Sequence, residues 1–173
     1  YEHIIVNMPS KLHIIFQSHT LTEKKTKLIL FDYPQKVLPE RSSCVFCNIA
    51  NKLESTEILY EDEEVCVFSD IKPASRFHIL VVPKRHIEDV KCLTSADKEL
   101  VAKMVSVAKD LVLKQHLSLE DTRLGYHWPP FRSVRHLHLH AIAPESQMGY
   151  ISRLVFLKNS YWFVSPEYVA SRL

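Results

Sequence analysis

The chemistry in this sequence concentrates on histidine and cysteine. Ten histidines are present, and seven of them fall between His78 and His140. The run His136-Leu137-His138-Leu139-His140-Ala141-Ile142 alternates imidazoles with apolar residues. Read as a strand over Val134–Ile142, it sets its three histidines on one face about 6.6 Å apart and buries Leu137, Leu139 and Ala141 on the other. A neutral imidazole is a nucleophile, a proton carrier and a metal ligand near neutral pH. Three on one face therefore suit nucleophilic or proton-transfer chemistry or the binding of a metal. His78 opens another apolar run, Phe77–Val82; taken alone, it reads as a histidine satisfied within a sheet. Cys44-Val45-Phe46-Cys47 has the spacing of half a metal site, and equally that of two buried thiols one helical turn apart.

Composition narrows the chemistry further. The 173 residues contain only two glycines, Gly125 and Gly149. Neither a dinucleotide-binding G-x-G-x-x-G nor a phosphate-cradling G-x-x-x-x-G-K-[ST] can be written with them, so if the protein holds phosphate, side chains and strand or helix termini must do it. A net charge of +2, from 22 Lys and Arg against 20 Asp and Glu, gives no basis for a nucleic-acid coat or a polybasic membrane anchor. No apolar run in the first thirty residues reaches ten, and no export signal is recognisable, so a reducing, cytoplasmic setting is expected, with nuclear entry left open.

These residues need elements to hold them. Residues 1–49 lack Ala and Gly, and the shift in composition sets a boundary near Pro39–Ser43. Residues 1–43, with short strands expected at His3–Val6, Leu12–Phe16 and Leu28–Phe31, are read as an extension outside the working domain, which spans 44–173. Phe46, Ile49, Ala50 and Leu53 recur at helical spacing. Glu57–Tyr60 and Val65–Phe68 read as strands joined by the acidic turn Glu61–Glu64, and Phe77–Val82 as a third closed by Pro83. Thr94 with Asp97 forms an N-terminal capping pattern for a second helix. That helix buries Leu100, Val101, Met104, Val105, Ala108, Leu111 and Val112, and Glu99 with Lys103 forms an exposed i,i+4 pair. Arg123–Tyr126 and Val134–Ile142 complete about five strands. The class is α+β, an antiparallel sheet with two helices.

The H-φ-H-φ-H-φ-φ run, the segment His78-Ile79-Leu80-Val81-Val82-Pro83-Lys84-Arg85-His86 and Phe68-Ser69-Asp70-Ile71 resemble the histidine triad superfamily of nucleotide hydrolases and transferases. The loop His127-Trp128-Pro129-Pro130-Phe131 and the tail Gln147–Phe163, with Ser160-Tyr161-Trp162-Phe163, resemble its nucleoside phosphoramidase branch. The resemblance covers Cys44 to Leu173. It implies nucleotidyl transfer to His138, the middle histidine, from a nucleoside 5′-phosphoramidate, followed by hydrolysis to AMP. By the same resemblance His140 and His78 serve the phosphate, Ser133 the leaving group, and Asp70 the ribose, with Ile71 and Phe68 near a purine base. Zinc-bearing members imply a Cys2His2 site from Cys44, Cys47, His86 and His136, structural rather than required for the chemistry.

Family members pair edge to edge, so a homodimer is expected, with Tyr161, Trp162 and Phe163 either at that interface or over the protomer's own core. Alternative activities are dinucleoside polyphosphate hydrolysis and non-catalytic nucleotide binding. A decapping scavenger needs a second large domain, and the adenylated-DNA repair enzymes carry a C-terminal zinc finger that this chain lacks. One departure stands out. Relatives carry Asn and several Gly before the Ser position, whereas Gly125–Arg132 replaces them with Tyr-His-Trp-Pro-Pro-Phe-Arg, and two of those residues have no N–H to offer.

Overall fold

The computed structural model describes residues 42–173; the short strands expected before Pro39 lie outside the described residues. The elements run α1 (Val45–Ala50), β1 (Tyr60–Glu61), β2 (Val65–Ser69), β3 (Phe77–Pro83), α2 (Lys98–Lys114), β4 (Arg123–His127), β5 (Leu139–Ala143), α3 (Tyr150–Val155), β6 (Phe163–Val164) and α4 (Pro166–Ser171). The strands form one sheet in the order β1-β2-β3-β5-β4-β6, antiparallel at every pairing. Six strands and four helices stand where five and two were expected. The additional elements all come from the tail, in pieces of two to six residues, too short to show a periodicity in the sequence.

Strand alternation divides the molecule into two packed faces. Val65, Val67, Ile79, Val81, Leu139 and Ala141 point to one side, where they meet Leu100, Val101, Met104, Val107, Ala108 and Val112 of α2. Val107 takes a place on that helix face, while Val105 and Leu111 only flank it. Cys66, Phe68, Leu80 and Val82 point to the other side, against Phe46 and Ile49 of α1. His78 and His140 share the parity of Leu80 and Ile142, so they lie on this second face, diagonal to one another across the β3–β5 register.

Three local readings change. Asp97 accepts the Thr94 N–H at 2.8 Å and its hydroxyl at 3.0 Å, but on a 3-10 turn, Ser95–Asp97, that leads into α2. Lys103 bonds Glu64 and lies 3.4 Å from Asp62 in place of pairing with Glu99, because the acidic turn after β1 leans over the helix. The strand predicted over Val134–Ile142 begins only at Leu139. Before that residue the ladder is not made: Pro83, the β3 residue opposite Leu137, has no N–H to donate, the Leu137 amide bonds the Ile87 carbonyl at 2.7 Å instead, and the β4–β5 pairing ends at Gly125.

Candidate active site

Because His136 and His138 precede the ladder, the three histidines do not line one strand face. Each is held by its own contacts. His138 donates its Nδ1–H to the His136 carbonyl at 2.5 Å, which leaves Nε2 with the lone pair; none of the described residues bonds that nitrogen. Phe46 packs edge-on against the ring, centroids 5.3 Å apart, and His140 lies 4.9 Å away. His140 is oriented from behind. The Ala74 amide donates to His78 Nδ1 at 3.1 Å, so the proton of neutral His78 sits on Nε2. That proton is donated to His140 Nδ1 at 2.9 Å. His140 must then carry its own proton on Nε2, a buried atom with no partner among the described residues. A backbone amide thus fixes, through two rings, an N–H donor on the histidine whose ring lies 4.9 Å from that of His138.

Asp70 accepts the Lys72 amide on Oδ1 and turns Oδ2 toward His78 Nε2 at 3.5 Å and His140 Nδ1 at 3.8 Å. Those three donor atoms lie close enough together to hold a cation, but the tautomers oppose it. A metal on His78 Nε2 would need the proton on Nδ1, where it would face the Ala74 N–H. Burial holds the three imidazoles neutral. It pushes the pKa of His78 and of His138 down to about 4 and that of His140 well below the usual imidazole range, with Asp70 opposing it at His78 and His138.

The second cluster joins Cys44, Cys47, His86 and His136. His136 Nδ1 lies 3.3 Å from Cys44 Sγ and 3.5 Å from Cys47 Sγ, and His86 Nδ1 lies 3.2 Å from Cys47 Sγ. His136 donates Nε2–H to the Pro83 carbonyl at 2.8 Å. Its lone pair therefore faces the sulfurs, the arrangement in which a ligand imidazole is anchored by its far nitrogen. Two thiols and two imidazole nitrogens within 4.8 Å of one another form a donor set suited to tetrahedral zinc. Without a metal, burial and the neighbouring Cys44 push the Cys47 thiol up to about 11.

The other residues expected at the site differ in burial. Ser133 is exposed and makes no hydrogen bond among the described residues. Phe68 is buried beneath Phe46, rings 5.3 Å apart. Ile71 is 94% exposed. The sequence reading gave no role to His127, whose ring lies 5.0 Å from His140, nor to Phe156, which packs on His78 and His140 at 5.3 and 5.1 Å. Phe163 of the tail is buried over Gly125, directly opposite His140 in the ladder, so it covers the protomer's own core, while Tyr161 is exposed. Only contact across the fold brings these rings together. The one sequence signal was the aromatic density of the tail.

Known proteins resemble this chain along most of its described length. A family profile described as "Scavenger mRNA decapping enzyme C-term binding" matches residues 43–155. The adenosine 5′-monophosphoramidase HINT3 of Xenopus tropicalis is 47% identical over 133 residues, covering 76% of this chain and 87% of the relative. The protein of the same name from Mus musculus is 44% identical over 135 residues, 76% and 82% of the two chains. Among solved structures, an HIT family hydrolase from Legionella pneumophila Philadelphia 1 superposes with a TM-score of 0.56 at 32% identity, covering 58% of this chain and 91% of that one. With its paired imidazoles on β3 and β5 and this similarity along most of the relatives' length, the chain belongs to the histidine triad family.

Proposed function

We propose that this protein is an adenosine 5′-monophosphoramidase, which hydrolyses the P–N bond of nucleoside 5′-phosphoramidates and releases AMP through a nucleotidyl-His138 intermediate. The observation that carries the reading is the opposed pair of fixed tautomers: a lone pair on His138 Nε2 and a proton on the unpartnered His140 Nε2. The first attacks phosphorus; the second donates to a non-bridging oxygen as negative charge grows there. The relatives at 44–47% identity carry the same activity in their names. Asp70 and the exposed Ile71 border the nucleoside side, with Asp70 available to ribose hydroxyls once substrate is bound.

Zinc on Cys44, Cys47, His86 and His136 would supply structure, tying α1 to the segment before β5, and it takes no part in the reaction. We further propose a homodimer. The sheet ends in two-residue strands, β1 and β6, so side-chain burial rather than edge pairing must supply most of its interface, and light scattering at micromolar concentration gives its mass.

The test of the activity is AMP release from adenosine 5′-phosphoramidate, with radiolabelled nucleotide trapped on the wild type and absent from His138→Ala. Faster turnover of diadenosine triphosphate would assign the polyphosphate hydrolase reading. AMP binding with no turnover of either substrate would leave a binding protein.

A further inference from the structure

His127 is the imidazole beside the triad that the reaction above leaves without work. β4 ends on it, just before the Trp128-Pro129-Pro130 turn. Its Nδ1–H donates to the Trp162 carbonyl at 3.2 Å, so Nε2 is the nitrogen left open, and none of the described residues bonds it. Phe156 and Phe163, each 5.2 Å away, and His140 at 5.0 Å fix the ring. His127 lines two spaces at once. One is a small cavity that it shares with His138. The other is an open cleft of about 400 Å³ walled by Phe131, Leu154, Val155 and Trp162.

Breaking a P–N bond needs a proton on the departing nitrogen, because an amide anion is too basic to leave. The expected donor, Ser133, is exposed, and Pro129 and Pro130 have no N–H. His140 is a poor source. A proton drawn from its Nε2 would be replaced only by the one on His78, behind which stands the Ala74 amide. His127 has no such debt: its Nε2 can take up and release a proton while Nδ1–H stays on Trp162.

Building on the phosphoramidase reading, we propose that His127 is the acid–base residue of the reaction, acting on the leaving amine and on the water that replaces it. His138 Nε2 forms its bond to phosphorus as the P–N bond breaks, and the electron pair goes to nitrogen, which takes the proton from imidazolium His127 Nε2. The neutral amine departs toward the apolar cleft. Water then bonds to phosphorus, the bond to His138 breaks with its pair returning to the ring, and the water's proton passes to His127, restoring the cation. Burial lowers the His127 pKa, while the Trp162 carbonyl and Asp70 act upward. A bound phosphate adds negative charge in the same upward sense.

The test compares an alkylamine phosphoramidate of AMP with adenosine 5′-phosphorofluoridate, whose fluoride leaves without a proton. In His127→Gln, single-turnover nucleotidylation by the amine substrate is expected to fall about 10²–10⁴-fold, and by the fluoridate no more than about threefold. Labelled nucleotidyl-enzyme should accumulate from the fluoridate as its hydrolysis slows. A second variant, His127→Ala, should retain AMP binding and recover amine turnover with added imidazole. Equal loss on both substrates without imidazole rescue, or no loss on either, overturns the role of His127. A wild type that turns over the fluoridate but not the phosphoramidate overturns the reading on which it rests, and the inference with it.

Discussion

The two histidine clusters on either side of His138 use the same side chain to opposite ends. In each, donor atoms of three or four residues lie within 4.8 Å of one another. At His136 the far nitrogen donates to a carbonyl, that of Pro83, and the near nitrogen offers a lone pair to two thiols. At His78 the far nitrogen accepts from an amide, that of Ala74, and the near nitrogen must carry a proton. One backbone group, a carbonyl or an amide, therefore separates a cluster that welcomes a cation from one that welcomes a phosphate oxygen. Composition and distance do not distinguish the two; the polarity of the anchor does.

The largest effect should come from the residue between them. His138→Ala is expected to lower phosphoramidate turnover by about 10³-fold or more while leaving the fold intact, as measured by AMP release and circular dichroism. The metal side is broken by Cys44→Ser with Cys47→Ser. Zinc, expected at one equivalent in untagged wild type, should vanish, and at about 3 kcal/mol Tm should fall by about 10 °C. Substoichiometric zinc that the double variant leaves unchanged would refute this half of the comparison.

Gly125→Ala should strike only the proton-bearing side. A Cβ there would stand 2.4 Å from the Phe163 ring and 2.9 Å from the Val164 carbonyl. A cost of about 1–3 kcal/mol is expected by thermal melting, with zinc content unchanged. The smallest and most gradual effect is that of pH. His78 and His138 bind protons near pH 4 when folded and near about 6.5 when unfolded. The unfolded chain therefore holds more protons between those values, and stability should decline as pH falls through that window. Flat stability from pH 7 to pH 4 would show the imidazoles to be less buried than the structure has them.

Much of the site was legible before the fold. Alternation placed β2 and β3 within a residue of their ends, and the motif residues His78, His138, His140 and Asp70 do converge. The three histidines do not share a strand face, because a ladder needs hydrogen bonds as well as alternation: Pro83 has no N–H for the residue opposite it, Leu137 turns its amide to Ile87, and the β4–β5 pairing ends at Gly125. Phe68, which the motif puts near the base, owes its surroundings to the parity of β2, which buries it beneath Phe46. His127 was quoted only as part of a loop. Its importance arises from Trp162, Phe156 and Phe163, some thirty residues away in the chain, and no local pattern encodes that meeting.

Those three aromatic residues follow the stretch that the family profile matches, which stops at 155. Arg123, buried at the start of β4, donates to the Phe156 carbonyl at 2.6 Å and pairs with Glu145, pinning the tail at the point where it reaches the histidines. The stretch that the family profile matches and the stretch that encloses the site thus have different lengths. A chain cut soon after β5 would keep every residue of the triad and lose the wall around it, so alignments of the motif alone understate what this reaction centre is made of.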